Sequence, residues 1–407
     1  MGKNEIKNSS KAVPKNMVRS YSKKKLWLLH IIRKLWFGLK GVKFEATREV
    51  KELSRPSIVL CSHGSFIDFF YAGEILRKEG PNFIAARLYF YKDFNAKFMQ
   101  GVGCFPKSMF TTDLESAMNC MRVLKRQGVL TMMPEARLST VGEFEDIQPS
   151  TFKFLKGAKA DVYYINIKGG YLAMPKWGKG LRRGARIEAK LDLLFTKEEA
   201  ASLTVEEIQE RTEKALYFND FEWLETKPKI KYRSRRLAEG LENILNLCPH
   251  CHSKHSLSTK GHTVKCDSCG MSTKMDKRYA FDSGVPFANF QEWYNWQTEE
   301  MRKEVQENPD FKLESKVVLN HASKDGKTSL YKAGKGLCVL NREGLTYKGT
   351  RDGEETEVHF PQEQIYRLLF GAGVDFEIYE DREIFYFEPE NLKTCVDWYM
   401  ASKLLKE

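Results

Sequence analysis

The sequence predicts an α/β domain on a mainly parallel sheet, followed by a small cysteine-rich insert and a C-terminal β-barrel-like module with a capping helix. Three observations carry this. Between Pro56 and about Phe218, short apolar runs alternate with amphipathic stretches, which is how a parallel sheet with crossover helices is written. Two CxxC pairs, Cys248/Cys251 and Cys266/Cys269, bracket a short polar segment. Beyond Asn308-Pro309-Asp310 come six β-like runs and then one final helical run, "TCVDWYMASKLL". The resulting division is a basic amphipathic segment over 1–45, the α/β domain over 46–235, the insert with a helical connector over 236–310, and the β-rich module over 311–407.

With 407 residues the chain is long enough for two or three domains. A hydrophobic fraction of 42% and a mean hydropathy of -0.49 describe an ordinary soluble composition, with no apolar run of membrane-spanning length. The net charge of +12 is unevenly placed. Residues 1–43 hold twelve Lys and Arg against the single acid Glu5, while residues 311–407 hold fourteen bases against seventeen acids.

The basic end also contains "LWLLHIIRKLWFGLKGVKF", in which Trp27, Leu28, Ile32, Leu35, Trp36 and Leu39 are interleaved with Arg33, Lys34, Lys40 and Lys43. Large apolar side chains beside Lys and Arg suit a helix lying in the headgroup layer of an anionic membrane, and equally suit a basic tail leading into a core helix. The segment lacks a signal-peptide pattern, and Ile6 stands where a myristoylation signal needs Ser or Thr. The expectation is a cytoplasmic protein held peripherally at a membrane surface.

In chain order, "SIVLC" reads as a buried strand, Phe66 to Lys78 as a helix ended by Gly80-Pro81, "NFIAARL" as a strand and "GCFPKS" as a strand or extended turn. Thr112 with Glu115 has capping-box spacing ahead of Leu114, Ala117, Met118, Met121 and Leu124, so a helix is expected there, closed by Gly128. "VLTMMPE" and "VYYINIKG" supply two more strands. In such sheets ligands bind beyond the carboxyl ends of the strands.

Three segments follow strands and therefore point to one rim. "SHGSFID" carries His63 and Asp68, "GVGCFPKS" carries Gly101, Gly103 and Lys107, and "MPEARLS" carries Glu135 and Arg137. His63 has the chemistry of a general base and Asp68 that of its orienting carboxylate, while Lys107 and Arg137 suit a phosphate. Ser65 and Asp68 also have capping-box spacing, so a purely structural reading of Asp68 stands beside the chemical one.

This ordered set resembles the glycerolipid acyltransferases, which make phosphatidic acid and related lipids, over about Leu26 to Phe218. Their HxxxxD motif is matched by His63 to Asp68, their second motif is similar to Gly103-Cys104-Phe105-Pro106-Lys107, and their third to Pro134-Glu135-Ala136-Arg137-Leu138-Ser139. "VYYINI" corresponds loosely to a fourth. Two departures are visible. Ala136 replaces the third-motif glycine, with Arg137 one position early and Leu138 where the family has arginine, and Lys107 is likewise an early base in the second motif. Arg87 resembles a basic position between the first two motifs.

The resemblance implies an α/β acyltransferase domain that moves a fatty acyl group from acyl-CoA or acyl carrier protein to the hydroxyl of a lysophospholipid, in the first instance 1-acylglycerol 3-phosphate. His63 and Asp68 would then be catalytic, and Arg87, Gly103, Lys107, Glu135 and Arg137 would hold substrate, with Glu135 orienting Arg137 or the acceptor backbone.

Cys248, Cys251, Cys266 and Cys269 have the spacing of a zinc ribbon, in which each CxxC knuckle gives two thiolates to one tetrahedral, structural ion. His250, His252, His255 and His262 lie nearby, but four cysteines already close such a site. The terminal strands and helix resemble a pleckstrin-homology or GRAM-type module. A ribbon on a basic chain also raises a rival: an inactive acyltransferase-like protein that binds nucleic acid or serves as a membrane-recruited scaffold. The placement of the positive charge, at the opposite end from the ribbon, argues against a nucleic-acid partner.

Overall fold

The computed structural model describes residues 16–19, 22–91, 93–111, 113–322, 330–365, 368–380 and 383–407. Its first sheet has seven strands: β1 (Lys43–Arg48), β2 (Ser57–Cys61), β3 (Pro81–Ala86), β4 (Phe105–Lys107), β5 (Val129–Met132), β6 (Asp161–Lys168) and β7 (Arg186–Phe195). They run in the order β1-β7-β6-β2-β5-β3-β4. All neighbours are parallel except β6 and β7, which pair antiparallel. The mainly parallel sheet expected from the alternation is present. The flanking strands β1 and β7 carry no comparable apolar run: β1 exposes most of its residues at the sheet edge, and β7 alternates.

Strand β2 shows why "SIVLC" is apolar throughout. Ile58 and Leu60 face one layer, with Val123, Leu124, Phe152 and Leu216, while Val59 and Cys61 face the other, with Phe37, Tyr71 and Ile187. A strand buried on both faces cannot alternate polarity.

On the first of these layers lie α4 (Leu114–Lys125), α5 (Pro149–Gly157) and α8 (Val205–Leu216). The expected cap Thr112 lies outside the described residues, and Asp113 caps α4, its side chain accepting from the Ser116 N–H at 2.9 Å. On the other lie α1 (Lys23–Leu39) and α2 (Asp68–Ile75). Both helix ends of α2 fall inside the expected Phe66 to Lys78. Helix α3 (Asp93–Gly101) precedes β4, and α6 (Gly170–Ala173), α7 (Lys197–Ser202) and α9 (Asp220–Glu225) complete this part.

The cysteine-rich insert forms a three-stranded antiparallel ribbon of β8 (Leu257–Lys260), β9 (Thr263–Cys266) and β10 (Ser272–Lys274). Helix α10 (Phe290–Glu307), capped by Asn289, leads to a second seven-stranded sheet. Its strands are β11 (Leu313–His321), β12 (Tyr331–Asn341), β13 (Gly344–Arg351), β14 (Glu354–Pro361), β15 (Leu369–Gly371), β16 (Asp375–Glu380) and β17 (Glu383–Pro389). The pairing is antiparallel, in the order β14-β13-β12-β11-β17-β16-β15, and α11 (Cys395–Leu404) packs on it through Trp398, stacked on Phe376 at 4.4 Å. Strand β15, three residues long, has no run that the sequence singles out.

This second sheet packs over the carboxyl rim of the first. Tyr379, Ile384 and Leu369 share an apolar cluster with Leu88, Tyr91, Met109 and Ala136.

Candidate active site

The rim is assembled by the turns that leave β2, β5, β3 and β4. His63 follows β2, and Asp68 opens α2. The His63 side chain is 19% exposed and Asp68 1%, with Nδ1 of the ring 3.8 Å from Oδ2 of the carboxylate. That separation exceeds a hydrogen bond, and neither His63 Nδ1 nor Asp68 Oδ1 has another partner. Asp68 Oδ2 accepts from the Ser65 N–H at 2.7 Å, so the carboxylate does hold the helix entry as the capping spacing suggested. It faces the imidazole as well. Burial raises the Asp68 pKa, opposed by His63 and by the Ser65 and Gly64 amides.

Glu135 has a different place from the one expected. Its Oε1 accepts from the His63 N–H at 2.8 Å and its Oε2 from the Glu145 N–H at 2.9 Å, so both oxygens bind backbone and neither holds Arg137. The carboxylate ties the exit of β5 to the exit of β2. Burial pushes it up to about 8 against the pull of those two amides.

Arg137 does face the rim from inside. Ala136, in the left-handed region at φ 58°, turns the chain, and Arg137 is left 5% exposed. Its Nε donates to the Glu135 carbonyl at 3.4 Å, and its guanidinium lies 4.8 Å from the Phe110 ring and 5.9 Å from that of Tyr399. Both Nη atoms are buried without a hydrogen-bond partner. A buried guanidinium with two unused donor groups is a ready anion site.

Arg87 and Lys107 form a second cluster, where β3 and β4 end side by side with Ala86 opposite Lys107. Arg87 Nη2 pairs with Asp113 Oδ2 at 3.0 Å and its Nε donates to Ser108 Oγ at 2.9 Å, so its charge is already matched. Burial lowers the Lys107 pKa, with Asp113 pulling the other way. Gly103 lies at the opposite, amino end of β4. It has φ +88°, and a Cβ there would stand 2.6 Å from the Pro81 carbonyl oxygen, so it serves the turn into β4 and not the rim.

Tyr399 and Lys176 belong to the site but to no motif. Tyr399 Oη donates to Glu145, at 3.1 and 3.0 Å from the two carboxylate oxygens, which brings α11 against the same Glu145 whose amide binds Glu135. Lys176 Nζ lies 3.7 Å from the Phe370 ring centroid and 5.9 Å from that of Tyr399. No periodicity in the sequence points to either residue.

The four ribbon thiols are also brought together, with their Sγ atoms all within 4.8 Å of one another. Cys248 to Cys269 and Cys251 to Cys266 are each 3.7 Å, far from a disulfide and close to the edge of about 3.8 Å that a tetrahedron with metal–sulfur bonds of about 2.3 Å requires. The cluster fits a metal ion.

An imidazole and a buried carboxylate at the carboxyl rim of a three-layer α/β fold, beside a guanidinium with unused donors, form an arrangement able to move a proton next to an anion. Residues 41–168 match the family model described as Acyltransferase, so this α/β part of the chain is an acyltransferase domain and the protein an acyltransferase. A solved structure, the 1-acyl-sn-glycerophosphate (LPA) acyltransferase PlsC from Thermotoga maritima, aligns with 18% identity and a TM-score of 0.36, covering 47% of this chain and 79% of that one. No curated protein sequence matches the chain.

Proposed function

We propose that this acyltransferase transfers a fatty acyl group from an acyl thioester, on coenzyme A or acyl carrier protein, to the hydroxyl of a lysophospholipid. The observation that carries the reading is the partly exposed imidazole of His63 set against the buried Asp68 at the sheet rim. His63 takes the alcohol proton as the oxygen attacks the thioester carbonyl. The C–S bond breaks, and the imidazolium returns its proton to the departing thiolate, giving an ester and a free thiol. Closing the 3.8 Å gap lets Asp68 fix the tautomer and stabilise the imidazolium as charge develops. Arg137, with both Nη groups unused, receives the acceptor phosphate, and Lys107 adds positive charge at the neighbouring strand end.

Helix α1 gives this chemistry access to lipid. Its inner face buries Leu26 and Phe37 against the α2 layer, while Trp27, Leu28, Ile32, Leu35 and Leu39 stay exposed beside Lys and Arg. Such a face docks peripherally on an anionic bilayer. No helix among the described residues is long and apolar enough to cross one. The four ribbon cysteines are assigned a structural zinc ion, a closed four-sulfur site that supplies rigidity and no open coordination position.

The test is mass spectrometry of lipids formed by the purified protein from acyl-CoA or acyl carrier protein and a mixed lysolipid panel. A diacyl product is expected from the wild type, and His63→Ala should lower its rate by about 10²- to 10⁴-fold. A His63→Ala protein of undiminished rate overturns the assignment.

A further inference from the structure

A cavity of about 320 Å³ opens at the rim, between loops that leave the first sheet and strands of the second. Phe66, three residues after His63, and Leu138, next to Arg137, line one side, and the loop through Met174 and Lys176 closes it. That loop is tied to the His63 turn, because Ser65 Oγ donates to the Met174 carbonyl at 2.8 Å. The opposite wall is Phe370, Asp375, Glu377 and Tyr386 of the second sheet.

The charges of this cavity are mixed in a particular way. Lys176 is its single lining cation, with Nζ 3.7 Å from the Phe370 ring centroid. Asp375 and Glu377 stand two apart on β16, hence on one face, and Glu377 Oε2 is buried without a hydrogen-bond partner. The aromatic residues Tyr89, Phe370 and Tyr386 line the same space. A phosphate monoester, close to a dianion, would meet two carboxyl groups here. A headgroup with one negative and one positive charge meets a partner for each: an ammonium is attracted both to carboxylates and to aromatic faces, and a phosphodiester to Lys176.

We infer that the cavity receives the zwitterionic, amine-bearing phosphodiester headgroup of the acceptor, with its phosphate between Arg137 and Lys176, which both border the Tyr399 ring, and its ammonium toward Asp375 and Glu377. This rests on the proposed transfer to a lysophospholipid and narrows the acceptor away from 1-acylglycerol 3-phosphate. It also makes the C-terminal sheet part of the substrate site.

The experiment uses the full-length His63→Ala chain, which holds acceptor without turnover, and titrates it by calorimetry with water-soluble short-chain lysophosphatidylethanolamine and short-chain lysophosphatidate. The amine-bearing ligand should bind about tenfold more tightly, and Asp375→Asn with Glu377→Gln should erase that preference while leaving lysophosphatidate unchanged or tighter. Lys176→Gln should weaken both ligands. Should the double variant not fold, Glu377→Gln alone, at a carboxyl whose Oε2 has no hydrogen-bond partner to lose, makes the same comparison. Equal or tighter binding of lysophosphatidate, or an equal loss for both ligands in the carboxyl variants, overturns the inference and reduces the three charges to an internal network between the sheets. Wild-type turnover separates the two readings. Selective binding without acyl transfer sinks the proposed chemistry, whereas acyl transfer without selectivity sinks only the headgroup assignment.

Discussion

Glu135 shows how a motif carboxylate can be needed without touching substrate. It accepts the amides of His63 and Glu145 and is fully buried, so Glu135→Ala leaves two donors unpaired, at a cost of about 1–3 kcal/mol each, and frees the backbone that presents His63. Its titration adds a second expectation. The carboxyl is raised from 4.5 to about 8 in the folded protein, so folding favours the protonated form. That contribution is complete below the unfolded value and is lost as pH rises through the window from about 4.5 to about 8. Glu135→Gln, uncharged throughout, should therefore show a flatter dependence of the urea midpoint on pH across that window than the wild type does. Parallel curves for the two proteins would assign the pH dependence to other buried carboxyls, such as Asp220, raised to about 7 by burial. Asp68 belongs to the same scale. Asp68→Asn keeps an oxygen for the Ser65 amide but forfeits the charge facing the imidazole, so turnover should fall by about 10²- to 10⁴-fold with little change in melting temperature.

Among the elements, α1 is where two sequence readings, membrane helix and core helix, both find a face. Phe37 is buried with its ring centroid 5.3 Å from that of Tyr71 in α2, and Leu26 is buried as well. Phe37→Ala should cost about 3–5 kcal/mol, read from the denaturant midpoint, because a large cavity opens in a packed layer. Leu35→Ser with Leu39→Ser, both on exposed positions, should leave that midpoint within about 0.5 kcal/mol and yet release the protein from anionic liposomes in a flotation assay. Liposome binding unaffected by the double substitution would leave the outer face without its proposed role. Removing the whole segment is a poor test, since β1 begins at Lys43 and pairs with β7, and the inner face of α1 is core. The rim strands and their helices were legible because burial on both faces writes continuous apolar runs and caps punctuate them. Strands β1 and β7 were not, since edge exposure and alternation leave weak runs, and β15 was too short to carry a pattern. The rim position of His63, Asp68 and Arg137 could be read because they come just after strands. Lys176, Tyr399, Asp375 and Glu377 could not, because their nearness to the rim depends on how the second sheet is docked, which local sequence does not encode.

At the scale of the molecule, the ribbon is the joint through which that docking is held. His255, between the two cysteine knuckles, places Nε2 2.5 Å from Asp397 Oδ2 of α11, and Asn246 Nδ2 donates to the other oxygen of the same carboxylate. Lys393 Nζ donates to the carbonyl of Leu257 at 2.6 Å, and Trp293 Nε1 of α10 donates to the Leu247 carbonyl at 2.9 Å. Two residues beyond Asp397 along α11, Tyr399 reaches Glu145 at the rim of the first sheet. A short three-stranded ribbon has little core of its own, so a metal ion held by Cys248, Cys251, Cys266 and Cys269, as proposed, would supply much of its folding energy. Elemental analysis should then find about one zinc per chain. A strong chelator, or Cys248→Ser with Cys266→Ser, should loosen the second sheet from the first. The expected signs are faster amide exchange in α11 and around Glu145, a lower melting temperature, and loss of turnover although none of the four ribbon cysteines lies at the rim. Restoring zinc to the chelated wild type, but not to the variant, should recover all three. Turnover and α11 protection that survive complete metal removal would mean that the two sheets hold together through their shared apolar cluster of Tyr379, Ile384 and Met109 without help from the ribbon.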